Sequence, residues 1–172
     1  SAMVFGAMAD EMIAAGTDVV KLSLGEPDFG APLAVRDAMR EQYDGRPLPY
    51  TAAMGLPELR QAISDFYKER HHVDVDPKRI AITAGGSTAL LLAAALTVNE
   101  GDEVLIADPS YPCNRELVRA FGGKVVDVPT NATTRFHLTP ELCHEYWSDR
   151  TKAVMITSPS NPTGTKIGRA SC

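Results

Sequence analysis

From Arg79 to Thr157 the chain alternates between two patterns. Apolar runs (RIAIT, VLIAD, KVVDV and KAVMIT) are separated by stretches with helical periodicity. This alternation constrains the fold more than any other feature. A helix between two strands carries the chain back to where the first strand began, so the strands run parallel and helices cover the sheet. Each of the four runs predicts a strand, with RIAIT read as a buried one. The stretch GGSTALLLAAALTV carries no charge on any side, which predicts a fully buried helix. It is shorter than the roughly 20 residues needed to span a bilayer. LPELRQAISDFYKER predicts a helix with Leu56, Leu59, Ile63, Phe66 and Tyr67 on one face. Pro57 falls in its first turn, where a missing N–H costs nothing. A further helix is expected from about Cys113 to Phe121. Another should run to about Trp147, with Thr139 as its N-cap and Pro140 and Glu141 in its first turn. The expected fold class is α/β with a mostly parallel sheet.

The N-terminal part is less regular. Its helical segment AVRDAMREQY has Val35, Met39 and Tyr43 in phase and precedes the Pro-rich link GRPLPY. That link is the candidate boundary between a segment 1–45 and a larger part 46–172. The 172 residues suffice for a domain with a real core, and 44% hydrophobic with 23% charged residues is ordinary for a globular chain. A net charge of -5, with no block of basic residues, argues against a nucleic-acid backbone as main partner. Three cysteines do not suggest a disulfide framework, and reduced thiols in a cytoplasmic protein fit better. The N-terminus has no basic region, and Asp10 and Glu11 interrupt it, so it does not read as a secretory signal.

In a parallel α/β sheet, ligands sit beyond the carboxyl ends of the strands. Three loops are expected to leave such ends and to meet at one edge: TAGGSTA, DPSYP and SPSNPTG. In the first, Gly85 and Gly86 let the backbone approach a ligand, Ser87 adds a hydroxyl, and a helix N-terminus offers unpaired N–H groups to an anion such as phosphate. Taken alone, a glycine pair before a helix is as readily a tight turn. In the second, Tyr111 stands between two prolines and could stack on a flat ring, although such a motif alone favours a core tyrosine with its hydroxyl at the surface. In the third, Asn161 offers a carboxamide, and Asn-Pro alone is a turn former. Together the three describe a site for a flat, phosphorylated, oxygen-bearing heteroaromatic, and pyridoxal phosphate is such a molecule.

At these residues the chain resembles the class I/II aminotransferases, enzymes of the fold-type I pyridoxal-phosphate group. The resemblance runs in one order through SLGEPDF, YTAAMGLPELRQAI, ITAGGSTALLLAAALTVNEGDEVLIADPSYP and RTKAVMITSPSNPTGT. It implies an aspartate-aminotransferase-like, three-layer large domain, truncated, preceded at 1–45 by an arm and part of a small domain. It implies that Gly85, Gly86 and Ser87 bind the phosphate of pyridoxal 5'-phosphate, that Tyr111 stacks on its pyridine ring and that Asn161 bonds the ring's phenolic oxygen. It implies that Tyr50 reaches the partner subunit's cofactor phosphate in a homodimer, and that Gly25 contacts the region of the substrate carboxylate. It also suggests cis bonds at Asp108-Pro109 and Asn161-Pro162. The implied reaction transfers an amino group between an α-amino acid and a 2-oxo acid. The lysine that carries the cofactor lies well beyond NPTG in the family, so no catalytic residue is assigned here, and Lys166 stands in the wrong place for it. The chain is therefore expected to be the first part of a longer enzyme. A lyase or decarboxylase on the same scaffold would use the same residues. As it stands, the chain could also be a non-catalytic fragment that binds phosphate-bearing ligands or a partner chain.

Several polar residues call for no site. His71 and His72 end a helix, where they complement its dipole. Cys143 and His144 are adjacent on a helix and diverge. Cys113 is expected to be a packed small residue, and Glu26, Pro27 and Asp28 to be turn chemistry. No metal site is expected.

Overall fold

The computed structural model describes residues 2–22, 25 and 27–168. The chain divides into two compact units, Ser1–Tyr50 and Thr51–Cys172. The division falls at the far end of the Pro-rich link. The first unit contains α1 (Ala2–Ala14) and α2 (Leu33–Gln42). Pro32 leads into α2 in an extended conformation, and the Tyr43 N–H closes it on the Arg40 carbonyl. The link then begins with Arg46 turned back on Asp44, through its backbone N at 3.1 Å and its Nε at 2.9 Å.

The second unit opens with α3 (Pro57–His71). Glu58 in its first turn and Lys68, Arg70 and His71 in its last complement the helix dipole. His72 ends it in the left-handed region, φ 56°, with its N–H on the Lys68 carbonyl. The chain then doubles back along α3. Ser64 Oγ donates to the Val75 carbonyl at 2.6 Å, and Arg60 Nε donates to that of Pro77 at 2.9 Å.

The run RIAIT is not a strand. Residues 80–83 belong to no ladder among the described residues, and Ile82 N instead donates to the Met54 carbonyl at 3.1 Å. An apolar, β-branched run states a preference for extended backbone, but only a neighbouring strand makes it part of a sheet, and among the described residues β1, β2 and β3 pair only with one another.

Those three strands are parallel, in the order β2-β1-β3: β1 is Glu103–Asp108, β2 Lys124–Pro129 and β3 Thr151–Met155. The expected α/β class with a parallel sheet is present. β1 pairs in even register with β2, from Glu103 opposite Lys124 to Asp108 opposite Pro129. Against β3 the register slips between Glu103 and Val104. As the central strand, β1 is buried on both faces: Val104, Leu105 and Ile106 are at most 2% exposed. Val98, Val104, Ile106 and Val118 form the core, with Phe121, Val125, Ala153 and Met155 packed around it. At the amino end of β1, the Glu103 carboxylate takes the Ser148 hydroxyl at 2.6 Å and the Arg150 Nε at 2.8 Å. The Ser148 hydrogen bond, then that of Arg150, holds this carboxyl below the ordinary range.

Helix α4 (Gly86–Thr97) corrects a second expectation. Only Ala94 in it is buried, while Leu90, Leu91 and Leu92 are 40 to 49% exposed and Leu96 is 86% exposed. The helix is apolar all round, but the described residues pack on it chiefly from α5 (Pro112–Arg119). Composition reports what a helix can bury, and the neighbours decide what it does bury. Helix α6 (Pro140–Tyr146) begins as expected, with Thr139 Oγ1 accepting from Leu142 N at 3.3 Å.

Candidate functional site

Because β1 and β3 are adjacent and parallel, the loops that follow them leave the same edge of the sheet. The first is Pro109–Tyr111. Its root is braced from two directions. The Asp108 carbonyl accepts from both N and Oγ1 of Thr130, each at 2.9 Å, at the end of β2. The Arg115 guanidinium donates to Asp108 Oδ1 at 2.8 Å and to Ser110 Oγ at 3.0 Å. It also donates to Asp127 Oδ1 at 2.6 Å. Tyr111 then serves as the N-cap residue of α5, with Pro112 at the first helical position. Its side chain is partly exposed, and the Cys113 thiol beside it raises the Tyr111 hydroxyl above the ordinary phenol range. Cys113 is exposed, not packed as expected, because it lies in the first turn of α5, opposite the face that buries Asn114 and Val118.

The second loop runs from Thr157 to Gly164. Ser160 N donates to the Thr165 carbonyl at 2.8 Å, and Gly164 N donates to the Ser160 carbonyl at 2.7 Å. Ile167 N donates to Ser158 Oγ at 3.0 Å. Asn161 stands exposed in this cross-braced turn. The Asp108-Pro109 and Asn161-Pro162 bonds are cis, as expected, and so is Ser158-Pro159.

The third loop, Thr83–Thr88, follows the unpaired segment 80–83 and so does not leave a strand of this sheet. Its turn is well formed: Thr83 Oγ1 donates to the Gly85 carbonyl at 2.9 Å, and Gly85 takes φ 85°. Gly85 needs to be glycine for that φ. Gly86 has no such reason. Its φ is ordinary, and a Cβ placed on it would meet nothing within 4 Å. Among the described residues no side chain caps α4, so its first N–H groups have no side-chain acceptor, and Ser87 beside them is exposed.

Between the ends of β1 and β3 lies a narrow cleft, lined by Ala107, Ser110, Asn114, His137, Thr157 and Ser160 among others. It brings the first two loops together. Neither the glycine turn nor the side chains of Tyr111 and Asn161 line it. Sequence reasoning missed Asn114, only 5% exposed, and His137, whose Nε2 is buried without a hydrogen-bond partner among the described residues. It also missed Arg115. Arg115 joins Asp108 before it to Asp127 12 positions after it, and no short-range pattern singles out any of the three.

Gly25 and Tyr50 belong to the first unit. Gly25 also has open space around a would-be Cβ, and Tyr50 is fully exposed. Ser23, Leu24 and Glu26 of the SLGEPDF stretch lie outside the described residues, while Asp28 and Phe29 form a bend, in keeping with turn chemistry. Among the described residues, no group of three or more His, Cys, Asp or Glu side chains could hold a metal ion, and no helix is long and apolar enough to cross a membrane.

Comparison with known proteins identifies the family. The family described as aminotransferase class I and II matches residues 17–171. A valine–pyruvate aminotransferase of Mycobacterium tuberculosis is 41% identical over 87% of this chain and 38% of its own length. A (5-formylfuran-3-yl)methyl phosphate transaminase of Methanocaldococcus jannaschii is 38% identical over 95% of this chain and 42% of its own. Among solved structures, an aspartate aminotransferase of Thermus thermophilus crystallised with maleate superposes with a TM-score of 0.92 at 34% identity, covering 98% of this chain and 44% of that one. The chain thus spans about two fifths of the length of these relatives. Extent of match, identity and superposition agree: the chain belongs to the class I and II aminotransferase family, a pyridoxal-phosphate-dependent family.

Proposed function

We propose that these residues are the N-terminal part of an enzyme that uses pyridoxal 5'-phosphate to move an amino group from an α-amino acid to a 2-oxo acid. One observation carries the reading. The adjacent, parallel strands β1 and β3, neighbours at the usual spacing of about 4.8 Å, launch from the same edge one loop bearing an aromatic ring and one bearing a carboxamide. The donor set fits the cofactor. The uncapped N–H groups of Gly86 and Ser87 hold its phosphate, and a glycine at position 86 that neither φ nor packing requires is explained by close approach of that phosphate. The Tyr111 ring covers one face of the pyridine, and the Asn161 carboxamide donates to its phenolic oxygen. The backbone at Gly25 meets the substrate carboxylate region. Tyr50, fully exposed, reaches the phosphate bound by a partner subunit, which makes the enzyme a homodimer.

Bound there, pyridoxal phosphate supplies the electron-withdrawing ring that lets the amino acid's α-carbon lose its proton. The residues of this chain orient that ring and fix its phosphate. In the family the lysine that carries the cofactor lies well beyond the NPTG loop, so it is assigned outside these 172 residues, and Lys166, two residues past Gly164, is not that lysine. The test is amino transfer by the full-length protein. With a ¹⁵N-labelled amino acid and an unlabelled 2-oxo acid, the label is expected in the new amino acid. Label released as ammonia would assign a lyase instead.

A further inference from the structure

We propose that Arg115 is a positioning residue for the Tyr111 ring, locking the loop that carries it to both neighbouring strands. The proposal rests on the reading that Tyr111 stacks on the cofactor. The Arg115 side chain is only 16% exposed, and its guanidinium makes three directed contacts. Nε reaches Asp127 on β2, one terminal nitrogen reaches Asp108 at the end of β1, and the other reaches the Ser110 hydroxyl within the loop. Tyr111 lies between Ser110 and the helix that carries Arg115 itself, so the segments on both sides of the ring converge on one planar group. Thr130 holds the Asp108 carbonyl from the other side. A loop at a strand end is ordinarily among the more mobile parts of a fold. Here the residue before Tyr111 and the root of the loop are tied to a rigid fork whose geometry lysine cannot reproduce, since an ammonium is a point charge with no fixed plane. Arg115 itself need touch neither cofactor nor substrate. Its effect passes through the ring.

A double-mutant cycle on the full-length protein tests this, using Arg115→Lys, Tyr111→Leu and the pair. Two quantities are read: the Kd for pyridoxal phosphate, and amide hydrogen exchange of the segment Ser110–Asn114 in cofactor-free protein. Arg115→Lys is expected to raise the Kd roughly tenfold when Tyr111 is present and less than about twofold when it is leucine. Exchange in the loop should quicken by about tenfold, while exchange in α3 stays unchanged, which separates a loosened loop from general destabilisation. An equal loss of affinity in both backgrounds would overturn the proposal, as would unchanged loop exchange. If the unmutated protein binds no pyridoxal phosphate, the proposed function fails. Faster loop exchange would then still support the brace, and unchanged exchange would still overturn it. Should Arg115→Lys fail to fold, Ser110→Ala removes only the contact inside the loop and carries the same expectation for exchange.

Discussion

Gly55 and Glu103 show how much single residues hold here. Gly55 takes φ 91°, and a Cβ on it would lie 2.6 Å from Ile82 Cβ, where the YTAAMG turn crosses the segment 80–83. Gly55→Ala therefore meets both strain and overlap. It is expected to destabilise the protein by about 2 kcal/mol or more, read as a lower denaturation midpoint. Gly86→Ala has neither problem. It should leave that midpoint nearly unchanged and weaken pyridoxal phosphate binding, so equal affinity would remove the phosphate from this turn. For Glu103 the sign follows from the depressed pKa. Its ionised form is favoured in the fold, so its contribution is complete above the unfolded value of about 4.3 and is lost as pH falls through the folded one. Glu103→Gln should be less stable than the wild type at neutral pH, with the gap closing in acid. A gap constant with pH would mean that the Ser148 and Arg150 contacts do not depend on the charge. Residues of this kind differ in how legible they are. Gly85, Tyr111 and Asn161 stand in short motifs whose chemistry is local. Arg115 was unreadable because its partner Asp127 is 12 positions away, on a different strand.

Elements follow the same division between local and distant causes. Thr139 was legible as an N-cap because cap, Pro140 and Glu141 are consecutive, and Thr139→Ala should cost about 1 kcal/mol of stability. A cost near zero would mean that α6 is held by packing alone. The strands β1, β2 and β3 were legible because each follows a helical pattern that returns the chain to the start of the sheet. RIAIT carries the same kind of pattern yet remains unpaired, since no neighbour among the described residues offers it a ladder. Helix α4 was legible as a helix, and its burial was not, for the same reason. Periodicity and composition describe the surface an element offers, whereas burial depends on what comes to meet it.

At the scale of the molecule, the sheet β2-β1-β3 has both edges unpaired among the described residues, and α4 leaves Leu96 almost bare. Open edges and bare apolar surface weaken a domain. The 172 residues by themselves are accordingly expected to be of low stability, to bind pyridoxal phosphate weakly and reversibly, and not to transaminate. Stoichiometric borohydride labelling of one lysine, Lys166 for instance, with amino transfer by the chain alone, would contradict this. In the full-length protein, a Tyr50→Phe subunit mixed with one lacking the cofactor lysine should give hybrid dimers that recover activity, unless Tyr50 acts within its own subunit. The central claim is that the glycine turn, Tyr111 and Asn161 together hold one cofactor. The most direct measurement is the crystal structure of the full-length protein with pyridoxal phosphate. The account predicts the phosphate on the N–H groups of Gly86 and Ser87, the ring stacked on Tyr111 and its phenolic oxygen within hydrogen-bonding distance of the Asn161 carboxamide. A cofactor bound with its phosphate away from α4, or with its ring clear of Tyr111, would contradict it.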